Sequence, residues 1–343
     1  MSTPPPRLVP SIARAYWVEA SGKGAIRQET LSVPVPVGYS LLETWLTGIS
    51  PGTERLVGLG KVPAECQQAM ACPAMGGSFK LPVKYGYCLL GQAINGPYAD
   101  QLVFTMHPHQ DYAIVPNKQL LPLPQDIPPL RATLLPNLET ALNAIWDSEY
   151  QAPAPVAIVG GGIVGLLIAF LLKTAWDAFP IIIERDPQRR QLIEKLGWGL
   201  TVLEVQEAPQ GVFSLCFHAS GQGAGLQTAL DSVGFEGKVI EVSWLAHQPV
   251  TLNLGGSFHF QRKQILSSQV STIAKPKREH TSHQQRLEQT LNYLQSPLLD
   301  ALIAPAITFE SLPLFMQELY HKNPVDFSFA VTYPPFHPRL HKA

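Results

Sequence analysis

Ala157-Ile158-Val159-Gly160-Gly161-Gly162-Ile163-Val164-Gly165 is the stretch on which the fold of this chain turns. An apolar strand, Val156–Val159, runs into three glycines, and an apolar helical run, Val164–Thr174, leaves them. G-x-G-x-x-G spacing is weak by itself, but between a strand and a helix it has a mechanism. Gly160 permits the tight turn, Gly162 lets backbone approach a pyrophosphate, and Gly165 lets the helix pack closely on the strand. The N–H groups that open the helix, at Ile163 and Val164, then face the anion. A second strand, Phe179–Ile183, ends in Glu184, 24 residues after Gly160. An acidic side chain there accepts hydrogen bonds from adenosine ribose hydroxyls and repels a 2′-phosphate, which favours NAD(H). Arg185 keeps NADP(H) open, since it can cover a phosphate; stacking on adenine or facing solvent are its other readings. Ser220, in Ala219-Ser220-Gly221 after the next strand, falls at the carboxyl edge near the cofactor. The bland alternative is a tight turn with no ligand.

Outward from this turn, strands at Val212–Phe217, Lys238–Val242 and Gln264–Ser268 alternate with helices at Gln188–Lys195 and Leu226–Ser232. That alternation predicts an α/β fold with a doubly wound parallel sheet. Upstream, Leu134–Trp146 reads as a helix, with Leu135, Leu138, Leu142 and Ile145 on one face. The first 150 residues are short strands (Ile12–Val18, Leu41–Thr47, Tyr112–Val115) punctuated by Pro and Gly, which predicts a compact, mainly antiparallel β unit. Beyond residue 275 a polar, basic stretch leads to helices through Leu287–Leu294 and Leu312–Tyr320. A strand-like run, Phe327–Thr332, precedes a Pro- and His-bearing tail. The expected domains are 1–137 (β-rich), 138–272 (dinucleotide-binding) and 273–343 (a return to the first).

Composition excludes several function classes. The chain has 343 residues, 45% apolar and 15% charged, with 32 Pro, 26 Gly and a net charge of −1. It is too apolar for a disordered chain and lacks the basic stripe that nucleic acid demands. No run of about 18 apolar residues predicts a membrane helix, and Met1–Pro10 lacks the order of a signal peptide. A soluble cytoplasmic protein is expected. The four cysteines, 66, 72, 88 and 216, form no C-x-x-C pair and read as free thiols.

The order of parts resembles the medium-chain dehydrogenase/reductase superfamily over nearly the whole chain. Gly48-Ile49-Ser50-Pro51-Gly52-Thr53-Glu54 is similar to that family's G-I-C-x-T-D loop, and Pro82-Val83-Lys84-Tyr85-Gly86-Tyr87-Cys88 to its P-x-x-x-G-H-E stretch. Ala141–Ala144 is similar to its T-x-x-x-A helix start, and Phe235–Ile240 to the glycine-led fifth strand of its cofactor domain. The resemblance implies a GroES-like catalytic domain beside a Rossmann sheet, a nicotinamide cofactor, a small-molecule substrate and pairing into a homodimer through the edge at Gln264–Ser268. It departs at the metal. Ser50 or Pro51 stands at the first zinc ligand, Tyr87 replaces His, Cys88 replaces Glu, and Pro136 or Asn137 falls at the third. A catalytic zinc needs about three N, S or carboxylate ligands. A zinc-independent member is therefore expected, and the G-I-S-x-G-T-E form with its G-Y pair resembles the bacteriochlorophyllide dehydrogenase branch.

Without a Lewis acid, a hydroxyl or imidazole must polarise the substrate oxygen. The candidates are Tyr87, Thr53, Glu54 and Tyr85, in the motifs that the resemblance places beside the substrate. Glu139 reads as a relay or a cap partner, and Arg55 as a steering charge or a salt bridge. Met106–Asp111 holds His107, His109 and Asp111 at alternate positions, which leaves metal binding, a substrate role and a polar loop open. Arg262 and Lys263 read as phosphate contacts or rim charges. The expected function is transfer of hydride between NAD(P)(H) and a secondary alcohol or ketone. The alternatives are an NADPH-dependent enone or quinone reductase and a dinucleotide-binding protein without catalysis.

Overall fold

The structure, a computed structural model, describes residues 9–322 and 324–334; the start of the chain and the Pro- and His-bearing tail lie outside them. In chain order the strands are β1 Ile12–Ala20, β2 Lys23–Thr30, β3 Tyr39–Ile49, β4 Gly76–Gly77, β5 Val83–Lys84, β6 Leu89–Ala93, β7 Leu102–Thr105, β8 Tyr112–Pro116 and β9 Leu121–Pro122. There follow β10 Val156–Val159, β11 Ile181–Ile183, β12 Thr201–Leu203, β13 Phe213–His218, β14 Val233–Glu241, β15 Gln264–Ser267, β16 Ile307–Thr308 and β17 Phe329–Thr332. The helices are α1 Pro51–Gly58, α2 Pro129–Ala132, α3 Leu135–Ser148, α4 Ile163–Ala175, α5 Pro187–Lys195, α6 Gly223–Ser232, α7 His283–Tyr293 and α8 Leu312–His321.

Two compact units form. The first contains the described residues up to Leu134, Ile303–Pro324 and those from Ser328 on; the second contains Leu135–Leu302 and Val325–Phe327. In the first unit one sheet has the order β2-β1-β5-β4, and a larger one runs β16-β17-β3-β6-β7-β9, with β8 also on β3. β3 is the spine of the larger sheet. It pairs antiparallel with β17 over its C-terminal end, with β6 through its middle (Leu42–Thr47) and with β8 over its N-terminal end. Leu41, Leu42, Leu46 and Ile49 are buried along it. Where β3 ends, Pro51 opens α1 at a position whose missing N–H costs nothing. The stretch that resembles the family's loop is helical from Pro51 on, although the eight residues of α1 carry three of Gly and Pro.

The second unit carries a six-stranded parallel sheet of order β12-β11-β10-β13-β14-β15. β10 is buried throughout and α4 is buried from Gly165 to Leu172 on every face, as a central strand and helix of a two-sided sheet must be. The doubly wound parallel sheet and the β-rich unit agree with the fold class expected from the sequence. α5 starts where Asp186 caps it, accepting hydrogen bonds from the N–H groups of Gln188 and Arg189.

The boundary at 273 differs from expectation, because residues 273–302 belong to the second unit. The reason is α7. Its Arg286 is buried on α3, where Nε donates to Glu139 Oε1 at 2.8 Å and the guanidinium also reaches Asn143 Oδ1 and the Val270 carbonyl. Burial pushes the Glu139 carboxyl up and the Arg286 charge opposes the push. Glu139 is thus an ion-pair anchor for α7, and neither a relay nor a cap. Arg286→Ala leaves that carboxylate buried without its cation and is expected to destabilise the chain by about 3–5 kcal/mol in urea unfolding. Arg262→Ala breaks the exposed pair with Glu236 (2.8 Å) and is expected to stay within about 1 kcal/mol of the parent chain.

Candidate active site

The glycine turn of the second unit has the geometry its sequence requires. Gly160 sits at φ +107°, and a Cβ there would lie 2.6 Å from Ser220 N, so glycine is obligatory twice over. At Gly165 a Cβ would run into the Gly160 carbonyl and Ile158, which lets α4 sit down on β10. Gly162 differs. Its φ is −79° and a Cβ would meet nothing within 4 Å, so open space lies in front of the first turn of α4. The first-turn N–H groups, Ile163 and Val164 included, have no partner within the helix and present positive charge to that space. These residues fit a pyrophosphate-bearing dinucleotide.

Glu184 ends β11, buried, and is tied to the same turn: Oε2 accepts from Gly161 N–H and Oε1 from Asp186 N–H, both at 2.8 Å. Each oxygen keeps a lone pair for a ribose hydroxyl. Arg185 is exposed, and Arg189 approaches Glu184 at 3.9 Å. Ser220 packs its backbone against Gly160, which puts it at the reversal point of strand order between β10 and β13. Lys263 is neither a phosphate contact nor a rim charge. It is buried, with Nζ donating to the Leu230 carbonyl at 2.8 Å and to Ser257 Oγ at 3.2 Å, so it reaches no phosphate. Arg262 is a rim charge.

In the first unit, the Gly48–Glu54 loop becomes the end of β3 and the first turn of α1. This turn brings together three of the four candidates. The Tyr87 hydroxyl hydrogen-bonds Ser50 and Thr53, and burial together with the nearby Glu54 charge holds its phenol well above the usual range. Tyr87 is therefore a protonated donor at neutral pH. Tyr85 stands apart. Its ring packs edge-on to Tyr87 at 6.0 Å, while its hydroxyl donates to the Met70 carbonyl at 3.2 Å and contacts Cys72. Arg55 Nε donates to the Tyr320 carbonyl and fastens α1 to α8.

Glu54 is buried, its Oε1 accepting the Ser50 N–H at 2.7 Å and its Oε2 facing His109 Nε2 at 2.9 Å. His109 Nδ1 lies 2.5 Å from Thr47 Oγ1, which lies 3.1 Å from the Tyr333 hydroxyl. With Glu54 ionised and the imidazole neutral, His109 Nε2–H donates to Glu54, Nδ1 accepts from Thr47, and Tyr333 donates to Thr47. One buried polar chain thus runs from Tyr333 to the carboxylate. Thr47 and Tyr333 escaped sequence reading, since only strand pairing brings them within reach. The alternation from His107 to Asp111 scatters its three side chains. His107 Nδ1–H donates to the Pro108 carbonyl, and burial pushes its imidazole down to about 4. Asp111 pairs with Arg14 at 2.9 Å. Metal binding at this segment is not supported, because its three side chains go to three different partners.

The donors at the positions that match the family's zinc ligands do not suit a divalent cation. They are a serine, a bonded phenol and Cys88, whose thiol burial pushes up to about 12 and which donates to the Thr133 carbonyl at 3.4 Å. Pro136 and Asn137 lie in α3. Among the described residues no three His, Cys, Asp or Glu side chains converge on a point. No helix among the described residues is long and apolar enough to cross a membrane.

No protein-family model matches the chain. Curated relatives include the (R,R)-butanediol dehydrogenase of Bacillus subtilis, 28% identical over 141 residues, which covers 39% of this chain and 41% of that protein. The L-threonine 3-dehydrogenase of Bacillus velezensis is 27% identical over 161 residues, 44% of this chain and 46% of that protein. The chain thus spans less than half the length of these relatives. Among solved structures, L-idonate 5-dehydrogenase from Escherichia coli K-12 superposes with a TM-score of 0.74 at 15% identity, covering 94% of this chain and 98% of that one. Acetophenone reductase from Geotrichum candidum, solved with NAD, gives 0.72 at 16%, covering 95% and 98%. At such identity these likenesses show the fold, which is that of the alcohol dehydrogenase-like proteins. The named relatives are dehydrogenases, in agreement with the kind of protein that the sequence motifs resemble.

Proposed function

We propose that this chain is a metal-independent, NAD(H)-preferring oxidoreductase that interconverts a secondary alcohol and a ketone. One observation carries the reading: the turn from Gly160 to Gly165 leaves room for a pyrophosphate, and its Gly161 N–H is bonded to the acidic residue that ends the next strand. The relatives and neighbours, named as dehydrogenases and a reductase and in part solved with nicotinamide cofactors, support the class of reaction. The finer resemblance to the bacteriochlorophyllide dehydrogenase branch rests on Gly48–Glu54 and the Gly86–Tyr87 pair.

When bound, the nicotinamide ring supplies or accepts the hydride. Gly162 and the first turn of α4 hold the pyrophosphate, and Glu184 orients the adenosine ribose. In the first unit Tyr87, kept protonated by burial, donates its O–H to the substrate oxygen, with Ser50 and Thr53 fixing the phenol. Glu54 accepts from Ser50 N–H and so sets the turn that holds Tyr87, while His109 ties Glu54 to the buried chain through Thr47 and Tyr333. Because the residues at the zinc positions are poor cation donors, substrate polarisation falls to these hydroxyls. A cytoplasmic homodimer is part of the same proposal.

Cofactor choice is tested by fluorescence titration. NADH is expected to bind at least about tenfold more tightly than NADPH, since a 2′-phosphate would meet the Glu184 carboxylate. Tighter NADPH binding would instead favour the enone or quinone reductase reading, which rests on Arg185. No affinity for either would remove the proposal.

A further inference from the structure

Three residues at the carboxyl ends of β13 and β14 form a polar chain that the oxidoreductase reading does not use. Strand register sets His218 directly beside Glu241. His218 Nδ1 lies 2.7 Å from Glu241 Oε2, and His218 Nε2 lies 2.6 Å from Ser220 Oγ. The imidazole is fully buried. It is seated under α6 because residue 225 is glycine; a Cβ there would overlap Ser220 Oγ and come within 2.9 Å of His218 Nε2.

For a neutral imidazole the donor and acceptor inventory gives the sense of the chain. The other oxygen of Glu241 accepts from Ser243 N–H at 2.7 Å, so an ionised Glu241 uses both oxygens as acceptors. With a neutral ring, His218 Nδ1 carries the proton and Nε2 is an acceptor, so Ser220 gives its only O–H to Nε2 at 2.6 Å, in preference to the Gln222 carbonyl 3.5 Å away. Ser220 Oγ accepts at most a long hydrogen bond from Gln222 N–H, 3.3 Å, and keeps a lone pair. The loop cannot easily turn to change this. Gly221 N–H donates to Ser243 Oγ at 3.0 Å, Ser243 Oγ lies 3.3 Å from the His218 carbonyl, and Ser220's backbone is wedged against Gly160.

We propose that His218 and Glu241 are positioning residues that lock Ser220 as an acceptor, so that it receives an O–H or N–H group of the dinucleotide and rejects its phosphates. This rests on the oxidoreductase reading for the identity of the ligand. A serine beside a glycine turn would otherwise be taken for a phosphate donor; here its proton is already committed. The ligand group is a ribose hydroxyl or the carboxamide of nicotinamide.

The test is titration of NADH, ADP-ribose and inorganic pyrophosphate into the parent chain, Ser220→Ala and Glu241→Gln. A glutamine has one acceptor oxygen for two N–H donors, so Glu241→Gln releases the tautomer of His218 without changing side-chain size. Both variants are expected to weaken NADH by about five- to tenfold, the scale of one neutral hydrogen bond, and to leave pyrophosphate unchanged. Loss on NADH alone identifies the carboxamide, and equal loss on ADP-ribose identifies a ribose hydroxyl. Equal loss on pyrophosphate, or variants that bind NADH as the parent does, overturns the locked acceptor and leaves the oxidoreductase reading standing. A folded parent chain that binds no NADH sinks both.

Discussion

Gly162→Val is expected to fold as the parent chain does and to lose about a hundredfold or more in dinucleotide affinity, equivalent to ~2.7 kcal/mol. The two arguments behind this are separable. At Gly162 the backbone is in the extended region that valine prefers, and an added Cβ touches no protein atom within 4 Å. Neither the backbone nor the surroundings of that Cβ oppose the substitution. What the branched side chain does fill is the space in front of α4 where a pyrophosphate would accept the first-turn N–H groups. Gly160→Ala makes the opposite case. Its φ of +107° strains any side chain, and the Cβ would collide with the Ser220 backbone, 2.6 and 2.7 Å away. Strain and overpacking together cost about 3–5 kcal/mol, a large share of a domain's ~5–15 kcal/mol. Urea unfolding and NADH titration of both variants separate the effects. A Gly162→Val chain that is stable and still binds tightly would remove the pyrophosphate from this turn.

Tyr87→Phe is expected to lower turnover by about a hundredfold or more while NADH affinity stays the same, since a lone hydrogen-bond donor at a substrate oxygen has that scale. The phenylalanine keeps the ring and its edge contact with Tyr85 and removes only the group bonded to Ser50 and Thr53. Glu54→Gln is expected to act through the same turn. Its single acceptor oxygen cannot serve both Ser50 N–H and His109 Nε2–H, so either a buried donor is left unpaired or the His109–Thr47–Tyr333 chain must reverse. Turnover should fall by about tenfold or more, with a loss of about 1–3 kcal/mol in stability. Full activity in Tyr87→Phe would move the substrate donor elsewhere, Thr53 being the next candidate.

The parts of this molecule that were legible in the sequence are those whose physics is local. The glycine turn announced itself because φ, close packing and anion approach each demand glycine at a fixed place between a strand and a helix. Glu184 was legible by its distance from that turn, but not its bond to Gly161, which needs β10 and β11 in register. Glu54 and Tyr87 came from motif resemblance. His109 reads three ways in the sequence, because its partner Glu54 lies 55 positions away and only the packing of the loop after β7 against α1 joins them. His218 and Glu241 were missed for the same reason: a histidine that ends one strand and a glutamate that ends the next are unremarkable until the sheet sets them side by side. The boundary at 273 failed on one residue, since a basic stretch gave no sign that Arg286 would be buried against α3.

The most direct test of metal-free hydride transfer uses the chain after exhaustive chelation, with metal content measured on the same sample. NADH carrying deuterium at C4 is supplied with a panel of ketones, and the alcohol products are analysed for deuterium at the carbinol carbon. The account predicts deuterium transfer at an undiminished rate in the chelated protein. Transfer that vanishes on chelation and returns with added zinc, or no transfer to any ketone by a folded protein that binds NADH, would contradict it.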